Sequence, residues 1–306
     1  MLAISTCWKS SNAVTGDDII APIVDAGFKA VELEYRITEG ILREMLPALK
    51  RGEPAVVSVH NFFPLPLGLS RDEASGDAFL LCSTDKDQRE LALKYTVRTL
   101  ERAHELGASA VVLHLGKTDM DDGLSRLKQE HEKGALGSKP TQSYVQGLLN
   151  ERKKEGRKYL DAALFSLDKL WRPAERLALR LGIENRYSLK EVPDFHELGI
   201  IFERFEGSNI GYWHDVGHAA VQEFFYGTSH ERYLREFSSR LVGIHLHDAE
   251  ADKDHQAPGR GKVDFTMVGK YLEPNTIRVI EVSADASADD LKAGVDFLCL
   301  REVAAI

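Results

Sequence analysis

Short apolar runs recur along this 306-residue chain with room for one helix between each pair, and no other feature constrains the fold as much. Residues 2–6, 30–34, 55–60 and 110–114 read as strands. So do a run finishing at 183–186, then 209–215, 241–247 and 277–282. Helical stretches separate them: from a Thr15 or Asp17 cap to Gly27, then 38–50, 87–106 and 158–181, the last ended by Gly182. Further helices are expected at 194–205, 231–239, 265–272 and 288–301. Strands this continuously apolar fit parallel pairing with helices outside. At this length the economical closure is a single-domain α/β (β/α)8 TIM barrel spanning 1–306, with no linker marking a boundary. A doubly wound open sheet is the alternative, but the first strand-to-helix turn has no glycine-rich phosphate fingerprint.

Two segments break the alternation. Residues 69–86 are irregular. Residues 117–156, rich in Lys, Glu, Asp and Gly, are too long for an ordinary turn after the fourth strand, so an excursion or lid with helical pieces is expected. His131 and the charge run 151–158 read as solvated helix face. Phe224, Phe225 and Tyr226 are candidates for a homo-oligomer contact or, equally, for the core.

Composition narrows the partners. A net charge of −9 argues against nucleic acid, whose binding rests on Lys and Arg neutralising phosphates. Cys7, Cys82 and Cys299 are odd in number and form no CxxC pair, as expected of reduced packing residues in a cytoplasmic protein. The N-terminus lacks the pattern of a signal peptide, and no apolar stretch approaches membrane-spanning length.

The strand exits carry the chemistry. In such a barrel the site lies at the carboxyl ends of the strands, where this chain places Glu34, His60, His114, Glu184, Asp215, His245, His247 and Glu281. Within 210–219 a buried strand is expected to give way to a loop at His214 and Asp215, with His218 three residues beyond the aspartate. Juxtaposing so many carboxylates without a cation is costly, so a metal site is expected. Carboxylate and imidazole ligands without thiolate favour one divalent ion: Mn2+, Mg2+, Co2+ or Zn2+. The best quartet is Glu184, Asp215, His245 and Glu281. Ile244 and Leu246 should face the helices, giving His245 and His247 a shared inward orientation, and strand spacing does not choose between them.

Five motifs resemble those of the xylose-isomerase-like TIM barrels: Ile-Glu-Asn-Arg at 183–186, His-Asp-Val-Gly-His at 214–218, Ile-His-Leu-His-Asp at 244–248, His-Gln-Ala-Pro-Gly-Arg-Gly-Lys-Val-Asp-Phe at 255–265, and Ile-Glu at 280–281. The superfamily holds sugar isomerases and epimerases and also apurinic endonucleases of the endonuclease IV type. The resemblance implies that His245, rather than His247, binds metal. It implies an isomerase or epimerase of a small carbohydrate or similar hydroxy-carbonyl compound, working through a metal-stabilised enediolate. Glu184 and Glu281 would ligate the metal and serve as base and acid on opposite faces of the substrate. His218 and Arg186 would hold substrate oxygens, His60, His114 and His255 would line the pocket, and Arg260 would contact a hydroxyl or phosphate. Arg186 and Arg260 read equally well as solvated rim charges.

The endonuclease branch supplies the competing expectation. It binds three zinc ions through added histidines, matched here by His60, His114, His218 and His255. Where that branch has Asp-x-His, this chain reads Lys253-Asp254-His255, and a lysine there opposes a third metal. A barrel that binds a ligand without turnover is the remaining option.

Overall fold

The computed structural model describes residues 1–304. Eight parallel strands close into a barrel: β1 (Leu2–Ser5), β2 (Ala30–Leu33), β3 (Ala55–His60), β4 (Ala110–Leu113), β5 (Arg180–Glu184), β6 (Ile210–Asp215), β7 (Leu241–Leu246) and β8 (Ile277–Ile280). Each pairs with its neighbour in sequence, and β8 returns to β1 through Ala3 opposite Val279. Helices occupy the outside, including Asp17–Asp25, Glu39–Arg51, Lys86–Glu105, Arg157–Arg176 and Ala288–Cys299. Their starts are written locally. Thr38 accepts from the Ile41 N–H, Asp85 from the Gln88 N–H, and Ser287 forms a capping box with Asp290. Among the described residues no helix is long and apolar enough to cross a membrane.

Two expectations are corrected. The helix expected over 158–181 ends at Arg176, and Arg180 and Leu181 belong to β5, opposite Ala110 and Val111 of β4. Ala178 makes the break in the left-handed region (φ 56°), and Leu179 and Leu181, which extend the helical spacing, are instead buried at and in the strand. The loop expected after β6 is helix Val216–Tyr226, which follows the strand without a gap. Asp215 caps it by accepting from the His218 N–H at 2.7 Å. Gly217 in the first turn hides the helical pattern, and Gly227 ends it (φ 76°).

Strand residues divide by parity. Ile4, Val31, Leu33, Val111, Leu113, Leu181, Ile183, Ile244, Leu246 and Ile280 pack in the main core with the helices. Ala3, Ala30, Ala110, Val112, Trp213 and Val279 fill the barrel, joined by Val242 at the register shift between β6 and β7. Trp213 is the large residue among these, and glycines on both flanking strands make room for it. A Cβ at Gly182 would come 2.8 Å from the indole, and one at Gly243 would come 2.3 Å from it. Trp213 thus forms the floor on which the polar layer rests.

The segment after β4 contains the expected helical pieces, Leu124–Glu132 and Lys139–Glu155. Leu127 and Leu148 from these helices pack with Leu189, Phe225 and Tyr226. Phe225 and Tyr226 are therefore core, while Phe224 is partly exposed and meets the His131 ring edge-on. Arg152 anchors the excursion: its guanidinium is buried, pairs with both oxygens of Glu197 and donates to the carbonyls of Leu189 and Glu191.

Candidate active site

Because side chains alternate along a strand, the residues two beyond the barrel filling point inward one layer higher. Val112 is followed by His114, Gly182 by Glu184, Trp213 by Asp215, Gly243 by His245 and Val279 by Glu281. The structure brings those side chains together. His245 Nδ1 lies 2.9 Å from Glu281 Oε2, 3.4 Å from Glu184 Oε1 and 3.5 Å from Asp215 Oδ2. His218 Nδ1 lies 3.3 Å from Glu184 Oε1, and His114 Nε2 and His60 Nε2 lie 2.9 and 3.4 Å from Glu184 Oε2.

Hydrogen bonds assign the imidazole faces. His245 Nε2 lies 2.9 Å from Glu32 Oε1, and Glu32 is held in turn by the Ser58 hydroxyl at 2.7 Å. A carboxylate only accepts, so the ring proton sits on Nε2. Nδ1 is buried without a hydrogen-bond partner, and its lone pair faces three carboxylates. That arrangement calls for a cation between them. His247 is set the other way. Its Nδ1 accepts from the His255 backbone N–H at 2.8 Å, so Nε2–H donates to Asp215 at 2.9 Å. His245 is the candidate ligand, and His247 fixes a ligand.

The field in this layer attracts positive charge. Burial alone would raise the Glu184 carboxyl, but His114, His218 and His245 hold it well below the usual carboxylate range. Burial likewise opposes ionisation of Asp215, and His218, His247 and His245 overcome it. Glu281, against burial, is held down to about 2, chiefly by His245. Burial would lower the two imidazoles, yet Asp215 and Glu184 push His218 up to about 10, while Glu281 and Glu32 push His245 well above its ordinary value. Without a metal ion, protons take the place of the cation. The donor set fits a hard or borderline divalent ion.

The remaining expected residues divide. His60 and His114 meet Glu184 as above, and their ligand atoms with its carboxylate lie close enough to share one ion. His255 stacks on His247, with ring centroids 4.3 Å apart. Arg186 is buried, not solvated, and pairs with Asp77 and Glu191 rather than facing open space. Arg260 is not brought to the site. Its side chain is 64% exposed and pairs with Asp290 at the start of the last helix. The lysine argument also changes, because Lys253 is exposed and Asp254 turns in, with ligand atoms near those of His218 and His255.

Several residues of the site were not legible as such. Glu32 pairs with His245, although Glu34, two residues on, looked like the exit residue and instead pairs with Arg36. Its parity with Glu34 was the available signal. Asn185 pins the quartet's backbone: its Oδ1 accepts from the Asp215 N–H at 2.7 Å and its Nδ2 donates to the Asp215 carbonyl at 2.9 Å. Asp77 sits in an irregular segment that carries no periodicity.

The sequence model of the family described as "Xylose isomerase-like TIM barrel" matches residues 20–301. The chain belongs to this family. The fold is shared at low identity with solved structures. A D-tagatose 3-epimerase-like protein is 18% identical (TM-score 0.64), the match covering 98% of this chain and 96% of that one. D-psicose 3-epimerase from Clostridium cellulolyticum H10, solved with D-tagatose, is 13% identical (TM-score 0.68), covering 98% and 99%. An IOLI protein solved with a zinc atom is 13% identical (TM-score 0.66), covering 98% of each chain. No curated protein sequence matches this xylose isomerase-like barrel significantly.

Proposed function

We propose that this chain is a divalent-metal-dependent isomerase or epimerase of a small sugar or related hydroxy-carbonyl compound. The observation that carries the reading is His245. Its Nε2 is spent on Glu32, and its unpartnered Nδ1 is aimed at Glu281, Glu184 and Asp215. The matching folds solved as sugar epimerases support the substrate class.

A divalent cation held by Glu184, Asp215, His245 and Glu281 supplies Lewis-acid polarisation of a carbonyl and its neighbouring hydroxyl. The protein supplies the rest. Glu184 and Glu281 are ionised and lie 3.4 and 2.9 Å from His245 Nδ1, and one would take the proton alpha to the carbonyl while the other returns one. His218 donates Nδ1–H to the Asn185 carbonyl at 3.1 Å, which leaves Nε2 free for a substrate oxygen. Trp213 closes the barrel below and keeps bulk water from the reacting carbon. His255, about one-third exposed, marks the open side through which substrate enters.

The test is metal analysis followed by incubation with a panel of ketoses and keto-polyols in D2O. Metal-dependent deuterium incorporation beside the carbonyl is the expected result, and no incorporation across the panel would refute the proposal. A second reading, a zinc-dependent phosphodiesterase cutting at abasic sites, is favoured by the groups His60–His114–Glu184 and His218–Asp254–His255. Three zinc ions per chain with cleavage of an abasic duplex would select it. The net charge of −9 opposes it.

A further inference from the structure

We propose that residues 69–78 form a strap, latched across the site by the Asp77–Arg186 ion pair, that lifts as a unit to make room for the substrate. The purpose rests on the sugar reading above, and the movement does not. The segment lies between β3 and β4. Near its start Arg71 donates to the Ala13 carbonyl, in the connection that follows β1. Near its end Asp77 Oδ2 accepts from Arg186 Nη2 at 2.8 Å, just beyond β5. Between these two anchors Gly76 rests on the imidazoles that leave β3 and β4. A Cβ there would lie 2.5 Å from His114 Nδ1 and 2.8 Å from His60 Cε1. Not even a methyl group fits under the strap, so no sugar carbon lies over His60 and His114 until it rises.

The strap is built as a body apart from the barrel. Its backbone hydrogen bonds close locally: Leu69 donates to Pro66, Glu73 to Ser70, Ala74 to Arg71 and Ala78 to Ser75. A capping box between Ser70 and Glu73 stiffens it. Backbone bonds to the barrel stand on either side, where Leu65 donates to Ile37 and Cys82 to Leu115. Those stems are packed, with Phe62, Phe63, Leu81 and Cys82 fully buried and Phe79 stacked on Tyr95. Gly68, beside exposed Leu67, is left-handed (φ 93°) with open space around it, and serves as the hinge. The surface under the strap is polar and poorly satisfied. Asp77 Oδ1, His114 Nδ1, and Arg186 Nε and Nη1 are buried there without a hydrogen-bond partner. Each forgoes a bond that water would supply, so lifting restores hydration and offsets part of the lost ion pair. Segments held this way open at the low end of a protein's stability range.

The experiment is hydrogen–deuterium exchange, read by mass spectrometry on the metal-free protein, comparing peptides from 69–78 with those from 55–65 and 79–83. Turns this short give little protection by themselves, so strap exchange reports docking. In the wild type the strap is expected to exchange faster than both stems. Asp77→Ala removes a charge-assisted hydrogen bond while Glu191 still pairs with Arg186, so strap exchange should rise about 10- to 100-fold with the stems unchanged. Gly76→Ala should act in the same direction with the ion pair's residues intact. Its methyl meets two rings braced from the far side, His60 by the Asn61 carbonyl and His114 by Glu184. Wild-type strap exchange no faster than the stems overturns the proposal. So does exchange unchanged in the variants, or raised equally in strap and stems. If Asp77→Ala does not fold, Gly76→Ala decides. A strap that opens in a protein that moves no deuterium into any ketose sinks the sugar reading and leaves the movement standing.

Discussion

His247 holds Asp215 from behind: its Nε2 lies 2.9 and 3.0 Å from the two carboxylate oxygens, while its Nδ1 accepts from the His255 backbone N–H. The two histidines of the Ile-His-Leu-His stretch share a strand face but not a role. In the proposed function His245 offers a lone pair to the cation, while His247 offers a proton to Asp215. His245→Ala should abolish divalent-metal binding. His247→Ala should weaken it by about 10- to 100-fold, the usual effect of losing a residue that orients a ligand. Calorimetric Mn2+ or Zn2+ titration of the two variants checks this, and equal losses would show that both ligate.

The two glutamates are proposed both to ligate the cation and to move the proton. Glu184→Gln or Glu281→Gln keeps the shape of the side chain and removes its basicity. Each should cut metal-dependent deuterium exchange by at least about 10^2- to 10^4-fold, the range for loss of a general acid or base. Circular dichroism should show the barrel intact in both. Exchange at the wild-type rate in either variant would exclude that carboxylate as the base or acid.

Why some of this site could be read from residues and some could not follows from spacing. Glu184, Asp215, His245 and Glu281 each end an apolar run on the inward parity, so the period of two places them once eight strands are counted. Glu32 obeys the same rule, but Glu34 has the same parity and lies nearer the strand exit, so the period of two does not choose between them. Asp254, and not Lys253, turns inward because the Lys253–Gln256 strand of a small antiparallel hairpin sets which side faces in, a pairing no local pattern announces. Arg260 stands in a Gly-Arg-Gly turn that looks built for a ligand, yet Asp290 of the final helix claims it. Asp77 and the Asn185 brace depend on contacts across many residues of sequence, where periodicity carries no information.

The excursion after β4 depends on one buried ion pair. Arg152 and Glu197 are both buried, and Arg152 also satisfies two carbonyls. Burial opposes the charge on each, raising Glu197 overall, while Glu197 raises Arg152. Arg152→Ala strands a buried carboxylate and two carbonyls, so it should cost about 3–5 kcal/mol. Urea unfolding of the variant measures this. The double change Arg152→Met with Glu197→Leu should recover much of the loss, since removing both partners removes the unpaired charge.

Behind the site, two buried histidines set a pH limit on stability. Tyr212 donates to Asn185 Oδ1 at 2.9 Å, His214 Nδ1 lies 2.6 Å from the Tyr212 oxygen, and His214 Nε2 lies 2.9 Å from His230 Nε2. Because Tyr212 spends its proton on Asn185, His214 donates from Nδ1 and its Nε2 accepts from His230. Both rings work in this relay as neutral groups. Burial pushes His230 down to about 4, and burial together with His230 pushes His214 well below its ordinary value. The folded values lie below the unfolded value of about 6.5, so between them the unfolded chain binds more protons. This contribution to stability is complete above about pH 6.5 and is lost as the pH falls towards 4. His230→Gln, whose amide can still donate to His214, should remove about one proton from that dependence, roughly 1.4 kcal/mol per pH unit within the window. Urea midpoints of wild type and variant across that range give the comparison. Parallel curves would mean that His230 already takes up its proton in the folded state.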